Sequence, residues 1–408
     1  MSEYQFSTTI AQPEFDAFVK NHELSNLLQS WNWSSIKSNW DSMHTAVYKD
    51  GKLAGTALVL IKALPAGFTM FYIPRGPIMD YSDQELVDFF FKNLKKEAKK
   101  RRALFIKMDP AIEIGVYPSS DMSRPLNGNE KLVKNFQDAG AIHQGFTTMI
   151  DESIQARFQS ILEKPEDVLA AMPKKTKKLV KEAEKRHLEI ISGRDELLDD
   201  FAALVEMTES RKHVSLRNKE YFRLLLDTYK DDAIIMLAIC DPGRILKECQ
   251  DRLNDLNKQI EALPENQKKK RFTLEEQKAS AQKDIDNIEE IIREVGSDQP
   301  RPIAGVLTIA YGKTAEMLYA GMDERFRRFM PQYKTYLVNF QWAFDHGVTH
   351  FSMGGVEGTL NDGLTHFKDN FAPQIHELIG EFDLPVNKLL YKPSKIMYEK
   401  KRHQLKEV

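Results

Sequence analysis

The sequence predicts an α/β (α+β) fold in which one strand–strand–strand–helix–strand unit is used twice, with a helical hairpin inserted into the second copy. Three observations predict it. The first is the order of patterned segments over residues 44–109: strands at 45–48, 53–63, 69–73 and 104–108, with a helix at 83–101 before the last strand. That order returns later, with strands at 234–240, 303–311 and 316–319, a helix at 334–346 and a strand at 350–353. The second is a shared glycine early in the second strand of each copy, Gly55 in Leu53-Ala54-Gly55 and Gly305 in Ile303-Ala304-Gly305. The third is residues 244–295, where Leu246, Cys249, Leu253, Leu256, Ile260 and Leu263, then Ala281, Ile285, Ile288, Ile292 and Val295, recur at three- and four-residue steps. Such steps mark the seam of an antiparallel helix pair.

In the first copy a tight Asp50-Gly51 turn joins the first two strands. In the second copy the same turn has grown into the arm, and an insertion at a hairpin tip leaves the sheet register intact. The polar stretch 264–273 reads as the turn of the arm, and Lys268, Lys269, Lys270 and Arg271 make it a compact positive cluster. Between the copies, 129–139 reads as a helix leading into a strand at 141–150. Segments 165–187 and 195–212 read as amphipathic helices, the former carrying a lysine run that is either a solvated face or a phosphate-contacting one. The expected domains are 1–150, then 151–240 with 299–379, with the arm at 241–298 and the tail 380–408 returning to the first domain.

With 408 residues and 42% hydrophobic composition, the chain has length and apolar content for two or three cored domains. A net charge of −2 excludes wholesale coating of nucleic acid and leaves only local contacts. Two cysteines supply neither a disulfide framework nor a metal site. No apolar run is long enough to span a bilayer and the N-terminus lacks a signal-peptide pattern, so a cytoplasmic location is expected. The basic tail (Lys388, Lys392, Lys395, Lys400, Lys401, Arg402, Lys406) reads as a solvated helix end or as a face resting on an anionic membrane.

The densest chemical cluster is Gly354-Gly355-Val356-Glu357-Gly358, Gly363 and His366-Phe367-Lys368. Paired glycines after a strand permit close backbone approach to a ligand. Lys368 beside Phe367 is placed to offset negative charge developing on an acyl oxygen, or is simply a surface lysine after a core phenylalanine. Asp109, at a strand's C-terminal end before Pro110, is a general base or a turn cap. Arg217 and Tyr221, four apart, share a helical face able to grip a phosphate or carboxylate, and Gln29, Trp33 and Lys37 are spaced likewise. No nucleotide-cradling glycine motif, metal-ligand spacing or cysteine–histidine pair is present. The pattern therefore points to a donor that arrives already activated.

In their order along the chain, several segments resemble the FemABX family of aminoacyl-tRNA-dependent transferases, most closely its MurM type. They are Leu27-Leu28-Gln29 with Trp33 and Lys37, Tyr72-Ile73-Pro74-Arg75-Gly76-Pro77, Ile106-Lys107-Met108-Asp109-Pro110, Arg217 with Tyr221-Phe222, Leu318-Tyr319-Ala320-Gly321, Gly354-Gly355, His366-Phe367-Lys368 and Ile379-Gly380-Glu381-Phe382. The resemblance implies two tandem acetyltransferase-like (GNAT-fold) domains with a tRNA-associated arm. It implies transfer of an amino acid, alanine or serine before glycine, from aminoacyl-tRNA to the ε-amino group of the stem-peptide lysine of lipid II or UDP-MurNAc-pentapeptide. By position it assigns Lys37, Arg217, Tyr221 and Tyr319 to the muropeptide precursor, Phe367 and Lys368 to the aminoacyl end and catalysis, and Asp109 to a carboxylate considered as a base. An ester already carries the free energy of amide formation, so no further cofactor and no metal is expected. Two rivals stand beside this reading: a coenzyme-A-dependent N-acyltransferase on the same fold, and a non-enzymatic tRNA-binding or scaffold protein.

Overall fold

The computed structural model describes residues 3–212 and 217–406. Its strands are β1 (Tyr4–Ser7), β2 (Asp41–Lys49), β3 (Lys52–Ala63), β4 (Thr69–Ile73), β5 (Ile78–Met79), β6 (Ala103–Met108), β7 (Glu113–Tyr117) and β8 (Ile142–His143). They continue with β9 (Phe158–Glu163), β10 (Glu189–Gly193), β11 (Ala233–Cys240), β12 (Arg301–Tyr311), β13 (Thr314–Met322), β14 (His350–Val356), β15 (Gln374–Leu378) and β16 (Phe382–Pro385). One sheet runs β1-β2-β3-β4-β6-β16-β8, with β5 on β3; the other runs β10-β11-β12-β13-β14-β9-β15-β7.

The duplication is real at the level of pairing. In each sheet three antiparallel strands lead to a parallel neighbour, β4 to β6 and β13 to β14, across a helix, Gln84–Lys100 in one and Pro331–Asp345 in the other. Both helices start where their residues demand: Asp83 accepts from the Leu86 amide, and Pro331 occupies the first turn, where its missing N–H costs nothing. Each unit is thus a layer of sheet crossed by a helix.

Two strands cross between the units, and the boundary expected at residue 150 needs correction. Glu113–Tyr117 lies in the second sheet, antiparallel to β15, while β16 returns to the first sheet between β6 and β8. A short strand's own pattern cannot reveal a partner some 260 residues away. The exchange is fastened by buried charge: Lys107 on β6 meets Glu381 at 3.0 Å and Asp383 at 2.8 Å. The space between the sheets is one apolar core, in which Phe15, Trp33, Tyr72 and Phe105 pack with Phe201, Phe222, Leu237 and Tyr311.

Other expectations are redrawn. The strand expected at 141–150 is reduced to β8, and the helix at 165–187 divides at Met172-Pro173 into Val168–Ala171 and Lys174–Lys185, since proline ends the preceding turn. Gln29 and Trp33 do not share a helix: Leu27–Gln29 is a 3-10 turn and Trp33–Ile36 a separate short helix. Fully buried Gln29 instead ties strand β3 to the turn after β4, donating to Pro74 O at 2.6 Å and accepting from the Leu58 amide at 2.9 Å.

The arm is a helical hairpin, Pro242–Glu261 and Lys268–Val295, started by Asp241, whose carboxylate accepts from the Arg244 amide. Its outer part closes over Leu256, Ile260, Leu274 and Ala281; its root joins the second sheet through Ile245, Ile288 and Ile291. The turn is shorter than expected, so Lys268–Arg271 form the first turn of the second helix.

Gly321 on β13 is where the helix Leu198–Lys212 comes closest: a Cβ there would lie 2.5–2.6 Å from backbone atoms of Leu204 and Val205. Backbone cannot swing aside as a side-chain tip can. Gly321→Ala is therefore expected to cost about 1–3 kcal/mol, read as a lowered urea midpoint; an unchanged midpoint would mean the helix is free to lift.

Candidate active site

The two units differ at one decisive place. The parallel pair β4–β6 is bonded from Thr69 to Ile73, whereas β13 and β14 pair only from Thr314 to Glu316 against His350 to Ser352 and then separate. The β12–β13 register also steps over Leu318, an extra residue of the bulge type that bends a strand. A cavity of about 430 Å³ opens on the side facing the first unit, and another of about 680 Å³ lies farther along β13, toward its C-terminal end.

The inner cavity is lined by Arg75, Gln155, Glu316, Ser352, Gly354 and Gly355. Lys175, Arg211 and Arg327 line the outer one with Tyr333, Phe367 and Glu324, which pairs with Arg211 at 2.9 Å and Arg327 at 3.1 Å. Lys175 belongs to the lysine run of the sequence and Arg327 to the arginine-rich segment before Pro331; its neighbour Arg325 is instead spent on Asp323. Lys368 lines neither cavity but connects to both, through Gly354 and Gly355 of the inner lining and its chain neighbour Phe367 of the outer one. Only 5% exposed, its ammonium donates to Gly354 O at 3.0 Å and Gly355 O at 2.9 Å, both inner-cavity residues. The preceding Phe367 sits in an aromatic cage of Tyr333, Tyr336 and Phe371. Lys368 is therefore neither a surface lysine nor a solvent-facing donor: it binds the backbone where β14 leaves its partner, and Gly354, at φ +81°, permits that turn.

Four other predicted residues converge from three separate segments. Arg217 stacks on Tyr221 with its guanidinium carbon 5.0 Å from the ring centre, and Tyr319 on β13 hydrogen-bonds both. Lys37 lies over Trp33 and has its pKa depressed by burial and by the Arg217 charge. Among the described residues no carboxylate pairs with either cation. Two neighbouring cations with two phenolic hydroxyls make a receptor for an oxyanion such as phosphate.

Asp109 stands apart. It is 2% exposed and lines neither cavity; one oxygen accepts from Tyr72 OH at 2.8 Å and the other from the Arg75 amide at 2.6 Å. Arg75 in turn donates to Ala156 O at 2.7 Å. Of the two roles open from sequence, the geometry matches the structural one: Asp109 holds the turn that presents Arg75 to the inner cavity. Sequence reasoning missed Glu316, which faces that cavity, hydrogen-bonds Ser352 and has its pKa raised by burial. A carboxylate among apolar residues in Thr314-Ala315-Glu316-Met317-Leu318 was the available signal.

A model of the FemAB family matches residues 10–399. The chain belongs to the FemAB family. It is accordingly an acyl-type transferase. Among its relatives, the lipid II:glycine glycyltransferases of Staphylococcus aureus strains USA300 and NCTC 8325 are each 29% identical over 94% of this chain and 93% of their own. A crystal structure of FemX superposes with a TM-score of 0.75 at 27% identity, covering 97% of this chain and all of that one.

Burial pushes the Asp109 carboxyl up to about 7, with the Glu381 charge adding to it and Arg75 opposing. The fold thus keeps a proton that an unfolded aspartate, at 3.8, has lost. The resulting stability is present in acid and disappears as pH rises through 7. Melting temperatures of Asp109→Asn and the parent, compared from about pH 5 to about pH 8, should show the parent losing ground to the variant as pH rises. A constant gap would mean that Asp109 is ionised in the fold throughout.

Proposed function

We propose that this chain transfers an aminoacyl group from the ester of an aminoacyl-tRNA to the side-chain amine of a peptidoglycan-precursor lysine. The observation that carries the reading is the pair of cavities reached from β13 and β14, with Lys368 holding Gly354 and Gly355 of the inner one and its neighbour Phe367 lining the outer one. Two substrates approaching from different sides meet at Gly354 and Gly355 without crossing. The outer cavity suits the phosphates of an RNA 3′ end through Lys175 and through Arg211 and Arg327, which a phosphate would share with Glu324. The Lys37–Arg217–Tyr221–Tyr319 cluster suits the phosphates of the precursor, and Tyr319 adjoins Leu318 of the inner cavity.

In the reaction the lysine nitrogen attacks the ester carbon, a C–N bond forms, and the C–O bond to the ribose breaks. Glu316, whose pKa burial has raised, takes the proton of the attacking amine and returns it to the departing ribose oxygen, which leaves as the hydroxyl. Lys368 donates to the carbonyls of Gly354 and Gly355 and fixes their direction at the reaction site. The names of the relatives favour glycine over the alanine or serine expected from sequence, and lipid II as the acceptor. At the arm's tip, Lys268–Arg271 stand beside Phe272, 65% exposed, on a helix start with no acidic residue to balance them. A basic turn with an exposed ring fits RNA, about 30 Å from the body along a 20-residue helix. The coenzyme A alternative is less well served, because the helix facing the outer cavity starts at Met330-Pro331 with no glycine-rich turn.

The test is label transfer from charged tRNA to a lysine-containing precursor, expected to vanish on RNase pretreatment; transfer from an acyl-coenzyme A instead would reverse the assignment. In the same assay Lys368→Ala should lose at least about tenfold in kcat, and Glu316→Gln should lose the acid limb of the pH profile. Activity within about twofold of the parent in both variants would remove this site from the chemistry. Deleting residues 247–293 should raise KM for charged tRNA with kcat preserved; an unchanged KM would confine the arm to a structural duty.

A further inference from the structure

Among the described side chains, those that hold the C-terminal helix Lys388–Lys406 to the body lie on one face. Tyr391 is buried, donates to Asp383 at 2.8 Å and packs edge-on against Phe105; Tyr398, two turns on, meets the same ring. The opposite face carries Leu389, Ile396 and Met397, exposed by 90%, 65% and 65%, with exposed Pro393 between them. Steps of four, three and one residues put these four on one stripe. Exposed Lys392 and Lys400 flank it. Lys388, at its start, is close enough to Lys95 of the helix Gln84–Lys100 for their charges to interact, and Lys99 joins them. The carboxylates nearest the two helices are spoken for, Glu399 facing Lys395 and Glu97 facing Lys100. The side chains of Lys401, Arg402 and Lys406 lie outside the described residues.

Single exposed apolar side chains are ordinary on a protein surface, whereas an aligned group within a field of lysines is the composition of an interfacial helix. Charge selects the occupant. A second copy of this chain would bring lysines against lysines, while an anionic bilayer supplies phosphates to the lysines and acyl chains to the stripe. No described helix is long and apolar enough to cross a membrane, so the helix lies along the surface. Its placement is apt for a lipid-linked acceptor. Lys62 lies over the rings of both Tyr398 and Trp40, and the Trp40 amide bonds Lys37 O at 2.8 Å, beside the oxyanion receptor.

We propose that the outward face of the C-terminal helix, Leu389, Pro393, Ile396 and Met397 with the lysines around them, docks the enzyme on an anionic membrane surface. This rests on the proposed function only in giving the docking a purpose, presentation of a lipid-linked acceptor to the Lys37–Arg217 cluster. The experiment is co-sedimentation of the full chain with vesicles of phosphatidylglycerol or of phosphatidylcholine, beside the variant combining Leu389→Glu, Ile396→Glu and Met397→Glu. The parent is expected to bind phosphatidylglycerol vesicles, to release them in high salt, and to bind phosphatidylcholine weakly. The variant is expected to bind at least about tenfold more weakly, to keep the parent's circular dichroism, and to transfer normally to a soluble UDP-linked acceptor while losing transfer to a vesicle-borne one. Failure of the parent to bind phosphatidylglycerol, equal binding by the variant, or a parent dimer that the variant abolishes would each overturn the proposal. None of those results touches the transfer reaction, which fails only if the parent labels neither acceptor.

Discussion

A β-strand that leaves its parallel partner must find new donors for its carbonyls, because buried backbone oxygens are rarely left unpaired. In this protein the need falls on Gly354 and Gly355, and the Lys368 ammonium meets it. That interaction keeps β14 apart from β13 beyond Glu316 and Ser352. Much of the site depends on the gap. Arg75 and Glu316 have an inner cavity to face, bounded by Gly354 and Gly355 where bulk is absent, and Phe367 and the three cations have an outer one. The equivalent strands of the first unit stay paired, so duplication has produced one open unit and one closed unit that serves as its wall.

The wall has to stay in register with the opening, and the exchanged strands do this. With β7 in the second sheet and β16 in the first, neither unit can move without breaking a strand ladder. The Lys107–Glu381–Asp383 group adds direction more than strength, since burying three charges costs about what their attraction returns. Glu381 also accepts from the Ile154 amide, tying the connection between units to the same group. Asp109 works in this frame, holding Arg75 at a left-handed turn through its amide.

Local signals in the sequence were enough for much of this. The Asp50-Gly51 turn, the paired glycines Gly55 and Gly305 and the arm's apolar seam report conformation within a few residues, so duplication and insertion were both legible. The Arg217–Tyr221 pair was legible from its four-residue step, but its convergence with Lys37 and Tyr319 only through family resemblance, since no spacing rule joins three segments so far apart. What could not be read depends on distant partners. Glu113–Tyr117 looks like any short alternating strand, Gln29 like a surface helix residue, and Lys368 like a side chain aimed at substrate; each is decided by the backbone that folds against it. The basic turn of the arm shifted for a smaller reason, since lysines tolerate a helix well enough to extend it through the expected loop.

The central claim is that donor and acceptor reach the gap between β13 and β14 from different cavities. It is tested most directly by a crystal structure of the full chain with a stable bisubstrate analogue, an RNA 3′ terminus joined through an amino acid to a lysine-containing peptide. The expected density places the peptide beside Arg75 and Glu316, the joining amide at Gly354 and Gly355, and the ribose leaving past Phe367 toward Lys175 and Arg327. Both halves of the analogue lying in one cavity, with the other empty, would contradict the account.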